Sequence, residues 1–507
     1  MKKLKNILYG LELIAIRGSN EIMISGISID SKKTNKKNLF VAINGINENS
    51  HNYINEAVKN GATSILCEKI PKNLLDGITY VCVKNSRKAL SVICETWYNS
   101  PSKKIKIIGI TGTNGKTSVA TMAFHLFKKI GFKCGLISTV EIRIEDKIYD
   151  TNNTTPNPLT TSKLLNDMVK CEVTHCFMEV SSHGINQYRV YAIQFNVGVF
   201  TNLSHDHLDY HKSFKNYRDV KKIFFDSLDV SALAISNCDD KNGKFMLQNT
   251  KAKKYFFGIK NLGEFKIKVL EKSLEGTLIK INNIEVWTKL VGTFNIYNFL
   301  AVYSIAILLG LNEEKILKIL SKINAPVGRF QLTQSKNKVV SIVDYAHTPD
   351  AISKVLQAIT EIKKVDKKLI TVIGCGGNKD KSKRPLMGKI VSKQSDFTIF
   401  TSDNPRNENP NSIIEEILSG VDKNSKHIII IDRAEAIKTA CLMADEYDII
   451  LVAGKGHENY QEVNGSKKPF NDLKEINKHL KTIYCCIIYL NLLNKTIKCQ
   501  EHHCLVF

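Results

Sequence analysis

The sequence has no apolar run that approaches the roughly 20 residues needed to cross a membrane. Residues 1–5 are basic and precede an apolar stretch at 7–16, which is similar to the start of a signal peptide. Glu12 interrupts that stretch, however, and no small-residue cleavage site follows it. We therefore predict a first helix at the N-terminus and a cytoplasmic protein with no membrane span.

Paired cysteine motifs are also missing from the chain. None of the 13 cysteines stands in a Cys-x-x-Cys pair, and several lie inside apolar runs, as Cys67, Cys82, Cys94 and Cys176 do. Because disulfides belong to oxidising compartments, this usage predicts buried, reduced thiols in a cytoplasmic protein and excludes a disulfide framework.

The chain has no arginine-rich stripe, although its net charge is +23. A basic balance of that size would ordinarily indicate nucleic acid as a partner. The lysines are scattered and are not interleaved with aromatic residues, so we expect a solvated basic surface, an anionic phosphate-bearing substrate and no nucleic-acid partner. A nucleic-acid-stimulated P-loop ATPase remains the alternative from a different functional class.

The length of 507 residues is too great for a single core, so several domains are expected. Residues 1–102 are predicted to form a small α/β domain with no obvious catalytic group and hence a binding role. Residues 103–334 and 335–480 are predicted as two further α/β domains. Residues 481–507 form an atypical tail, whose cysteine and histidine spacing fits no familiar zinc site.

The most informative stretch of the sequence lies at residues 108–118. An apolar run leads into Gly112-Thr-Asn-Gly115-Lys116-Thr117, which predicts a strand, a glycine-rich turn and the start of a helix, the geometry that binds phosphate. Lys116 would reach the outer phosphates, and the Thr117 hydroxyl would bind Mg²⁺. The strict P-loop pattern has glycine where Ile110 stands, so this is a shortened variant.

Polar side chains follow several other predicted strands. Glu179 lies near the end of a buried strand, where it could hold Mg²⁺ beside the phosphate loop or cap the next helix. Residues 205–211 contain three histidines and two aspartates, a cluster with metal-ligand chemistry. In the third domain, four strands alternate with helices and end in polar loops, which predicts a doubly wound sheet with its site at the carboxyl edge.

Taken together, and in this order, these motifs resemble the Mur ligase family of peptidoglycan synthesis across residues 20 to about 480. The resemblance is to the branch that adds meso-diaminopimelate to UDP-N-acetylmuramoyl-L-alanyl-D-glutamate. It implies three α/β domains: an N-terminal domain for the UDP substrate, a central ATP-binding domain on a P-loop-type parallel sheet, and a C-terminal Rossmann-like domain for the amino acid. It also implies ATP and Mg²⁺, small-molecule substrates and a monomer.

The resemblance assigns roles residue by residue. ATP would contact Gly112, Thr113, Asn114, Gly115, Lys116, Thr117, Ser118, Asn295, Asn298, Arg329 and Asp344. The UDP-muramoyl dipeptide would contact Ile29, Ser31, Ile46, Asn47, Glu48, Asn153, Thr154, Thr155, Ser181, Gln187 and Arg189. Diaminopimelate would contact Lys379, Asp403, Asn404, Pro405, Arg406, Gly454 and Glu458. The catalytic set would be Lys116, Lys221, His207 and Glu179, and the magnesium ligands Thr117, Glu179, His207 and Lys221 modified to a carbamate.

The implied reaction has two steps. The D-glutamate γ-carboxylate takes the γ-phosphoryl group of ATP, which gives an acyl phosphate and ADP, and the amine then displaces phosphate. No side-chain nucleophile is required, because positioning and electrostatics carry phosphoryl transfer. Closure of three domains around one site would exclude water from the acyl phosphate.

Amine specificity depends on the motif Asp403-Asn-Pro-Arg406, which matches the signature of the diaminopimelate-adding members. Arg406 could clamp the distal carboxylate of diaminopimelate, a group that lysine lacks. Two positions depart from the family: Lys379 and Lys32 stand where arginine is usual, which keeps the charge but loses the bidentate fork. An L-lysine-adding ligase and a degenerate chain that binds nucleotide without ligating therefore remain open.

Overall fold

The structure of the protein, a computed structural model, describes residues 1–45, 48–151 and 153–482. Three large sheets of five, eleven and six strands follow one another along the chain and are packed with helices. This arrangement confirms the predicted α/β class with three domains. Within the described ranges, no helix combines the length and the apolar character that crossing a membrane requires.

The first sheet lies in the N-terminal part of the chain and is parallel except for one edge strand. Its strands in spatial order are Leu13–Arg17, Thr79–Val83, Ala62–Cys67, Asn38–Val41 and Gly26–Ser28. The helices are Leu4–Ile7, Ile54–Lys59 and Ser86–Trp97, and the 3₁₀ turns are Ser31–Lys33, Ser50–Tyr53 and Pro101–Lys103. Lys2–Lys3 and Met23–Ile24 form a separate antiparallel pair.

The first helix predicted from the apolar stretch at 7–16 is wrong over most of its length. The helix Leu4–Ile7 is short, and Gly10 then takes a φ of +83°, a left-handed conformation that turns the chain. Residues Leu13–Arg17 form the antiparallel edge strand against Thr79–Val83. Pairing with an existing sheet outweighs helix formation here, because an isolated helix of this length is unstable and isoleucine suits a strand.

The second sheet is the largest and contains seven consecutive parallel strands at its centre. Its strands in spatial order are Lys147–Tyr149, Ile142–Ile144, Cys134–Ile137, His175–Glu179, Lys106–Thr111, Val197–Phe200, Leu233–Asn237, Lys253–Gly258, Phe265–Lys272, Thr277–Ile281 and Ile284–Thr288. Its helices are Lys116–Ile130, Pro158–Lys170, Ser182–Asn186, Leu208–His211, Phe214–Asp226, Gly243–Met246, Thr293–Leu308 and Glu313–Leu320.

Two hydrophobic cores lie on opposite faces of this sheet. Helices Lys116–Ile130 and Thr293–Leu308 pack on the face that carries Ile108. Helices Pro158–Lys170 and Phe214–Asp226 pack on the other face. Burial on both faces explains the continuous apolar runs of the central strands and the all-round hydrophobicity of Thr293–Leu308.

The third sheet is parallel apart from the edge strand Gln331–Gln334. Its strands in spatial order are Gln331–Gln334, Val340–Asp344, Ile449–Ala453, Leu369–Ile373, Phe397–Phe400 and His427–Ile429. The helices are Pro349–Ile362, Lys383–Gln394, Pro410–Leu418, Arg433–Met443 and residues 472–482, and the hairpin Tyr460–Val463 with Ser466–Pro469 lies outside the sheet. The four predicted strands of this region are all present, and the rest of the predicted tail, residues 483–507, lies outside the described residues.

Candidate active site

A cavity of about 1110 Å³ lies at the carboxyl edges of the second and third sheets. Side chains from both sheets form its walls, as expected where parallel strands end. The predicted site residues that line it are Thr113, Asn114, Gly115, Lys116, Thr117, Ser118, Asn153, Thr154, Thr155, Glu179, Ser181, Arg189, His207, Lys221, Asn295, Asn298, Arg329, Asp344, Lys379, Asp403, Asn404, Arg406, Gly454 and Glu458. Residues far apart in the sequence therefore share one cavity.

The remaining predicted site residues lie outside this cavity. Gly112, Gln187 and Pro405 are adjacent to lining residues and support them. Ile29, Ser31 and Glu48 lie in the N-terminal part of the chain, where the buried Ser31 hydroxyl donates to Glu56 Oε2 at 2.6 Å and Glu48 is exposed. Ile46 and Asn47 fall outside the described residues.

The phosphate loop connects strand Lys106–Thr111 to helix Lys116–Ile130. Gly112 has a φ of +149°, and a Cβ at this position would lie 2.0 Å from the Thr201 hydroxyl, so only glycine fits. The ammonium of Lys116 donates to the carbonyls of Gly112 and Thr113, both at 2.8 Å. Burial lowers the pKa of Lys116. The first turn of the helix and this ammonium thus form a compact positive site for phosphate.

A second buried lysine lies beside the loop. Lys221, on helix Phe214–Asp226, is 1% exposed, and its Nζ donates to the Gly112 carbonyl at 3.0 Å. Burial, reinforced by the nearby ammonium of Lys116, holds the pKa of Lys221 well below its usual value. The neighbouring Lys222 instead forms an ion pair with Asp226 at 2.6 Å. Of the two adjacent lysines, only Lys221 lines the cavity.

Glu179 and His207 are two candidate metal ligands on the cavity wall. Glu179 is fully buried at the end of strand His175–Glu179, and its carboxylate accepts from the Thr139 amide at 2.8 Å and the Thr139 hydroxyl at 3.1 Å. Burial lowers the pKa of His207 to about 4, so its imidazole is neutral at pH 7. Carboxylate oxygen, neutral imidazole and the Thr117 hydroxyl make a donor set suited to a hard divalent cation.

The predicted metal-ligating cluster at residues 205–211 is wrong as a unit. In the described part of the chain, no three His, Cys, Asp or Glu side chains are placed to hold a metal together. His205 faces Asp380 of the third sheet at 3.4 Å, whereas the ring of His211 hydrogen-bonds to the Ser182 hydroxyl at 3.0 Å. The short helix Leu208–His211 separates these side chains, and His207 is the histidine of the cluster that lines the cavity.

The end of the cavity predicted to hold the nucleotide includes the N-terminal part of helix Thr293–Leu308. The side chain of Asn295 donates to the Val291 carbonyl at 2.9 Å, and Asn298 donates to Asn295 Oδ1 at 3.2 Å. Across the cavity, the Arg329 guanidinium donates to the Thr117 hydroxyl at 3.0 Å. Asp344 accepts from the backbone amide of Phe330 at 2.6 Å and so fixes the segment that carries Arg329. Burial raises the pKa of Asp344 to about 6.

A third wall contains the predicted contacts to the muramoyl dipeptide. The guanidinium of Arg189 donates to the Thr155 carbonyl at 2.7 Å and to Gln187 Oε1 at 2.9 Å. The Thr155 hydroxyl in turn donates to the Glu179 carbonyl at 2.8 Å. The Ser181 side chain caps helix Ser182–Asn186 by accepting from the Gly184 amide at 3.1 Å. These contacts fix the guanidinium of Arg189 against Thr155, whose hydroxyl binds the backbone of Glu179.

The opposite wall comes from the third sheet and carries the Asp403-Asn-Pro-Arg406 motif. Arg406 Nη1 donates to the Gly377 carbonyl at 2.7 Å, and Arg406 Nε lies 3.3 Å from Glu462 Oε2. Nη2 of Arg406 has no hydrogen-bond partner among the described residues and can receive a ligand carboxylate. Lys379 lies on the same wall, and burial, followed by the charge of Arg406, lowers its pKa.

Sequence reasoning missed several residues that shape this site. Glu462 orients Arg406, and the ammonium of Lys383 donates to the His347 carbonyl at 2.9 Å at the edge of the cavity. Lys455 donates to Glu458 from behind the wall. His347 and Lys455 lie in polar loops that follow predicted strands, and this position could have indicated that they belong to the site. No pattern in the sequence around Glu462 indicates its contact with Arg406.

Two protein-family models match the chain. The model described as the Mur ligase middle domain matches residues 110–306, and the model described as Mur ligase, glutamate ligase domain matches residues 328–456. The chain is also 46% identical over 485 residues to the UDP-N-acetylmuramoyl-L-alanyl-D-glutamate–2,6-diaminopimelate ligase of Cytophaga hutchinsonii. That alignment covers 95% of this chain and 99% of the relative.

The fold of the chain is also similar to that of solved structures. A structure of UDP-N-acetylmuramoyl-L-alanyl-D-glutamate–2,6-diaminopimelate ligase is similar with a TM-score of 0.68 and 29% identity, covering 95% of this chain and 99% of that chain. The MurF ligase from Thermotoga maritima in complex with ADP has a TM-score of 0.64 and 18% identity, covering 90% of this chain and 98% of that one. At that identity, the second similarity is one of fold alone.

Proposed function

Because this chain belongs to the Mur ligase family, we propose that it joins meso-diaminopimelate to the D-glutamate γ-carboxylate of UDP-N-acetylmuramoyl-L-alanyl-D-glutamate, with ATP converted to ADP and phosphate. The family membership predicted from the motifs is confirmed. The observation that carries the proposed reaction is the shared cavity, in which the phosphate loop faces Arg189 on one wall and Arg406 on another. A phosphoryl donor, a carboxylate and an amine can therefore meet there.

We assign a task to each part of the chain on the same basis. Residues 1–102 would bind the UDP end of the substrate, residues 103–334 would bind ATP, and residues 335–480 would bind the amino acid. The protein would act as a monomer in the cytoplasm, where ATP is available and thiols stay reduced. The nine cysteines of the described residues are all free, in keeping with that compartment.

Mg²⁺ fits the donors of this site. Thr117, Glu179, His207 and a carbamate on Lys221 would hold it, and when bound it would neutralise charge on the transferred phosphoryl group. Carbamate formation needs an uncharged amine, which attacks carbon dioxide, forms an N–C bond and loses a proton. The complete burial of Lys221 beside Lys116 favours that uncharged amine.

The first chemical step is transfer of the γ-phosphoryl group to the D-glutamate carboxylate. A new O–P bond forms as the bond to ADP breaks, so negative charge builds on the leaving oxygens. Lys116 contacts the Gly112 carbonyl of the phosphate loop, and Arg329 contacts the Thr117 hydroxyl at the start of the following helix. Both cations would stabilise that charge. Positioned cations in a site closed to water account for most catalysis in such transfers.

The second step is attack of the amine on the acyl phosphate, which forms the amide and releases phosphate. The amino acid must therefore bind with its reacting amine towards the loop and its distal end towards the third sheet. At that end, Arg406 offers a cation and Glu458 offers an anion on the same wall. This pair is complementary to the distal carboxylate and ammonium of diaminopimelate, whereas lysine has no distal carboxylate.

The proposed function is tested by measuring phosphate release from purified protein with ATP and Mg²⁺. We expect release only when the UDP-muramoyl dipeptide and meso-diaminopimelate are both present. Release stimulated by DNA or RNA without these substrates would support the nucleic-acid-dependent ATPase. Retained ATP binding with no release under any condition would indicate a chain that has lost ligation.

The assignment of Lys221 predicts a selective effect of its removal. Lys221→Ala is expected to lower kcat by about 10²-fold, because an anionic ligand beside the phosphates is lost. Wild-type protein incubated with ¹³C-bicarbonate should show a carbamate resonance that is missing from Lys221→Ala. The matched control is Lys222→Ala, which removes the ion pair with Asp226 and a contact with the Phe245 ring outside the cavity, and should keep both the resonance and kcat. An unchanged kcat for Lys221→Ala would refute the assignment.

A further inference from the structure

Lys455 is a buried cation directly behind the wall that carries the amino-acid motif. It lies in the loop after strand Ile449–Ala453, is 0% exposed and does not line the cavity. Its Nζ donates to Asn404 Oδ1 and to Glu458 Oε2, both at 3.0 Å, and lies 4.0 Å from Asp403 Oδ1. One ammonium thus touches three of the residues predicted to bind diaminopimelate.

The charges around Lys455 do not balance within the wall. Asp403 and Glu458 supply two carboxylates, and Lys455 supplies one positive charge between them. Arg433 lies close enough to influence both carboxylates, but its guanidinium is already paired with Asp472 at 2.8 Å. The group formed by Asp403, Glu458 and Lys455 therefore carries one net negative charge, whereas Arg406 on the same wall is paired with Glu462. Because an uncompensated buried charge is costly, this group favours a ligand that brings a cation.

The geometry at Glu458 shows where that cation would bind. Both Lys455 Nζ and Asn404 Nδ2 donate to Glu458 Oε2, at 3.0 Å and 2.7 Å. Oε1 of Glu458 is left without a hydrogen-bond partner in the part of the chain that the structure describes, on a residue that lines the cavity. Two fixed donors on one oxygen hold the carboxylate in a single orientation and present the other oxygen to the ligand.

One further group, an aromatic ring, lies against Lys455. The aromatic ring of Tyr460 lies 5.6 Å from its Nζ, on the hairpin strand Tyr460–Val463. Burial raises the pKa of Glu458, the charge of Asp403 adds to that effect, and Lys455 opposes it. Removing Lys455 would therefore leave two neighbouring carboxylates without the cation that separates them.

We propose that Lys455 is a positioning residue for amine specificity, which holds the carboxylate of Glu458 so that its free oxygen receives the distal ammonium of the amino-acid substrate. The inference rests on the proposed function, because it concerns the amine of that reaction. Lys455 itself does not touch the substrate. Its effect should therefore appear only with amines that carry a distal ammonium.

The test compares two amines in the phosphate-release assay. meso-Diaminopimelate carries the distal ammonium, whereas 2-aminopimelate keeps the reacting amino acid and the distal carboxylate but lacks that ammonium. In Lys455→Met, we expect KM for meso-diaminopimelate to rise by about 10- to 100-fold, the loss expected for a charge-assisted contact. KM for 2-aminopimelate, for ATP and for the UDP-muramoyl dipeptide should stay within about twofold of wild type.

Two other variants complete the experiment. Lys467→Met removes an exposed lysine whose Nζ lies 4.3 Å from the centre of the Tyr460 ring, and it should leave every KM within about twofold. Lys455→Gln keeps a donor for Glu458 but no charge, so its KM for meso-diaminopimelate should fall between those of wild type and Lys455→Met. If Lys455→Met does not fold, as judged by loss of ADP binding, Lys455→Gln decides the question with the same two amines.

The outcomes separate this inference from the function on which it rests. Wild-type protein that releases no phosphate with meso-diaminopimelate would overturn the proposed function. Active wild type with equal increases in KM for both amines in the variants would overturn the inference, because a general loss of structure does not distinguish the amines. Unchanged KM values for both amines would overturn it as well.

Discussion

Replacing Lys116 with methionine is expected to reduce kcat by about 10³-fold. The Lys116 ammonium is held at the phosphate loop by the carbonyls of Gly112 and Thr113, so it is preorganised for the charge that builds on the transferred phosphoryl group. Methionine fills similar volume without that charge. Steady-state phosphate release at saturating substrates measures the change, and circular dichroism shows whether the variant is folded.

The matched control for this prediction is on the same helix. Lys129 is exposed near the end of helix Lys116–Ile130, about 20 Å along the helix axis from Lys116 at a rise of about 1.5 Å per residue. Lys129→Met should leave kcat within about twofold, because surface substitutions away from special contacts have small effects. A Lys116→Met protein that keeps more than about one tenth of wild-type kcat would contradict the role given to this lysine.

Replacing Asp472 with alanine is expected to lower the free energy of unfolding of the C-terminal part by about 3–5 kcal/mol. Arg433 and Asp472 are both 0% exposed, and two parallel hydrogen bonds of 2.8 Å join them. The same guanidinium donates to the Ala453 carbonyl at 3.0 Å, next to Gly454 of the cavity wall. Removing the carboxylate leaves a buried cation without its counter-charge.

Hydrogen exchange in strand Ile449–Ala453 and urea denaturation measure this loss. The protection of the strand should fall together with the stability of the sheet, since both depend on the same cooperative unit. Lys438→Ala on helix Arg433–Met443 is the control, because its ion pair with Glu435 is largely exposed and contributes at most about 1 kcal/mol. An Asp472→Ala protein that loses less than about 1 kcal/mol would show that the pair is not needed for stability.

The parts of the site that could be predicted from the sequence are those that depend on local sequence patterns. The phosphate loop carries its glycines, Lys116 and Thr117 within a few residues, and strand ends such as Glu179 are marked by the change from apolar to polar residues. Parallel strands bring their carboxyl ends to one edge, so residues from distant segments could be expected together. The structure places them along one cavity.

The parts that sequence could not predict depend on contacts between distant segments. Glu462 reaches Arg406 and Lys455 reaches Asn404 only because the hairpin and the strand-end loops fold onto each other. The prediction that residues 205–211 form one metal-ligating cluster was wrong for the same reason, because the histidines have partners on different elements. The edge strand Leu13–Arg17 depends on pairing with Thr79–Val83, which no local periodicity reveals. The roles of Ile29, Ser31 and Glu48 stay predictions.

The most direct test of the central claim is a competition between two amines. Purified protein with ATP, Mg²⁺ and the UDP-muramoyl dipeptide is given equal concentrations of meso-diaminopimelate and L-lysine, and the masses of the products are measured. We expect the diaminopimelate product to exceed the lysine product by at least about 10²-fold, because lysine has no distal carboxylate to bind the free Nη2 of Arg406. A lysine product in equal or greater amount would contradict the assignment of Arg406 and identify a lysine-adding ligase.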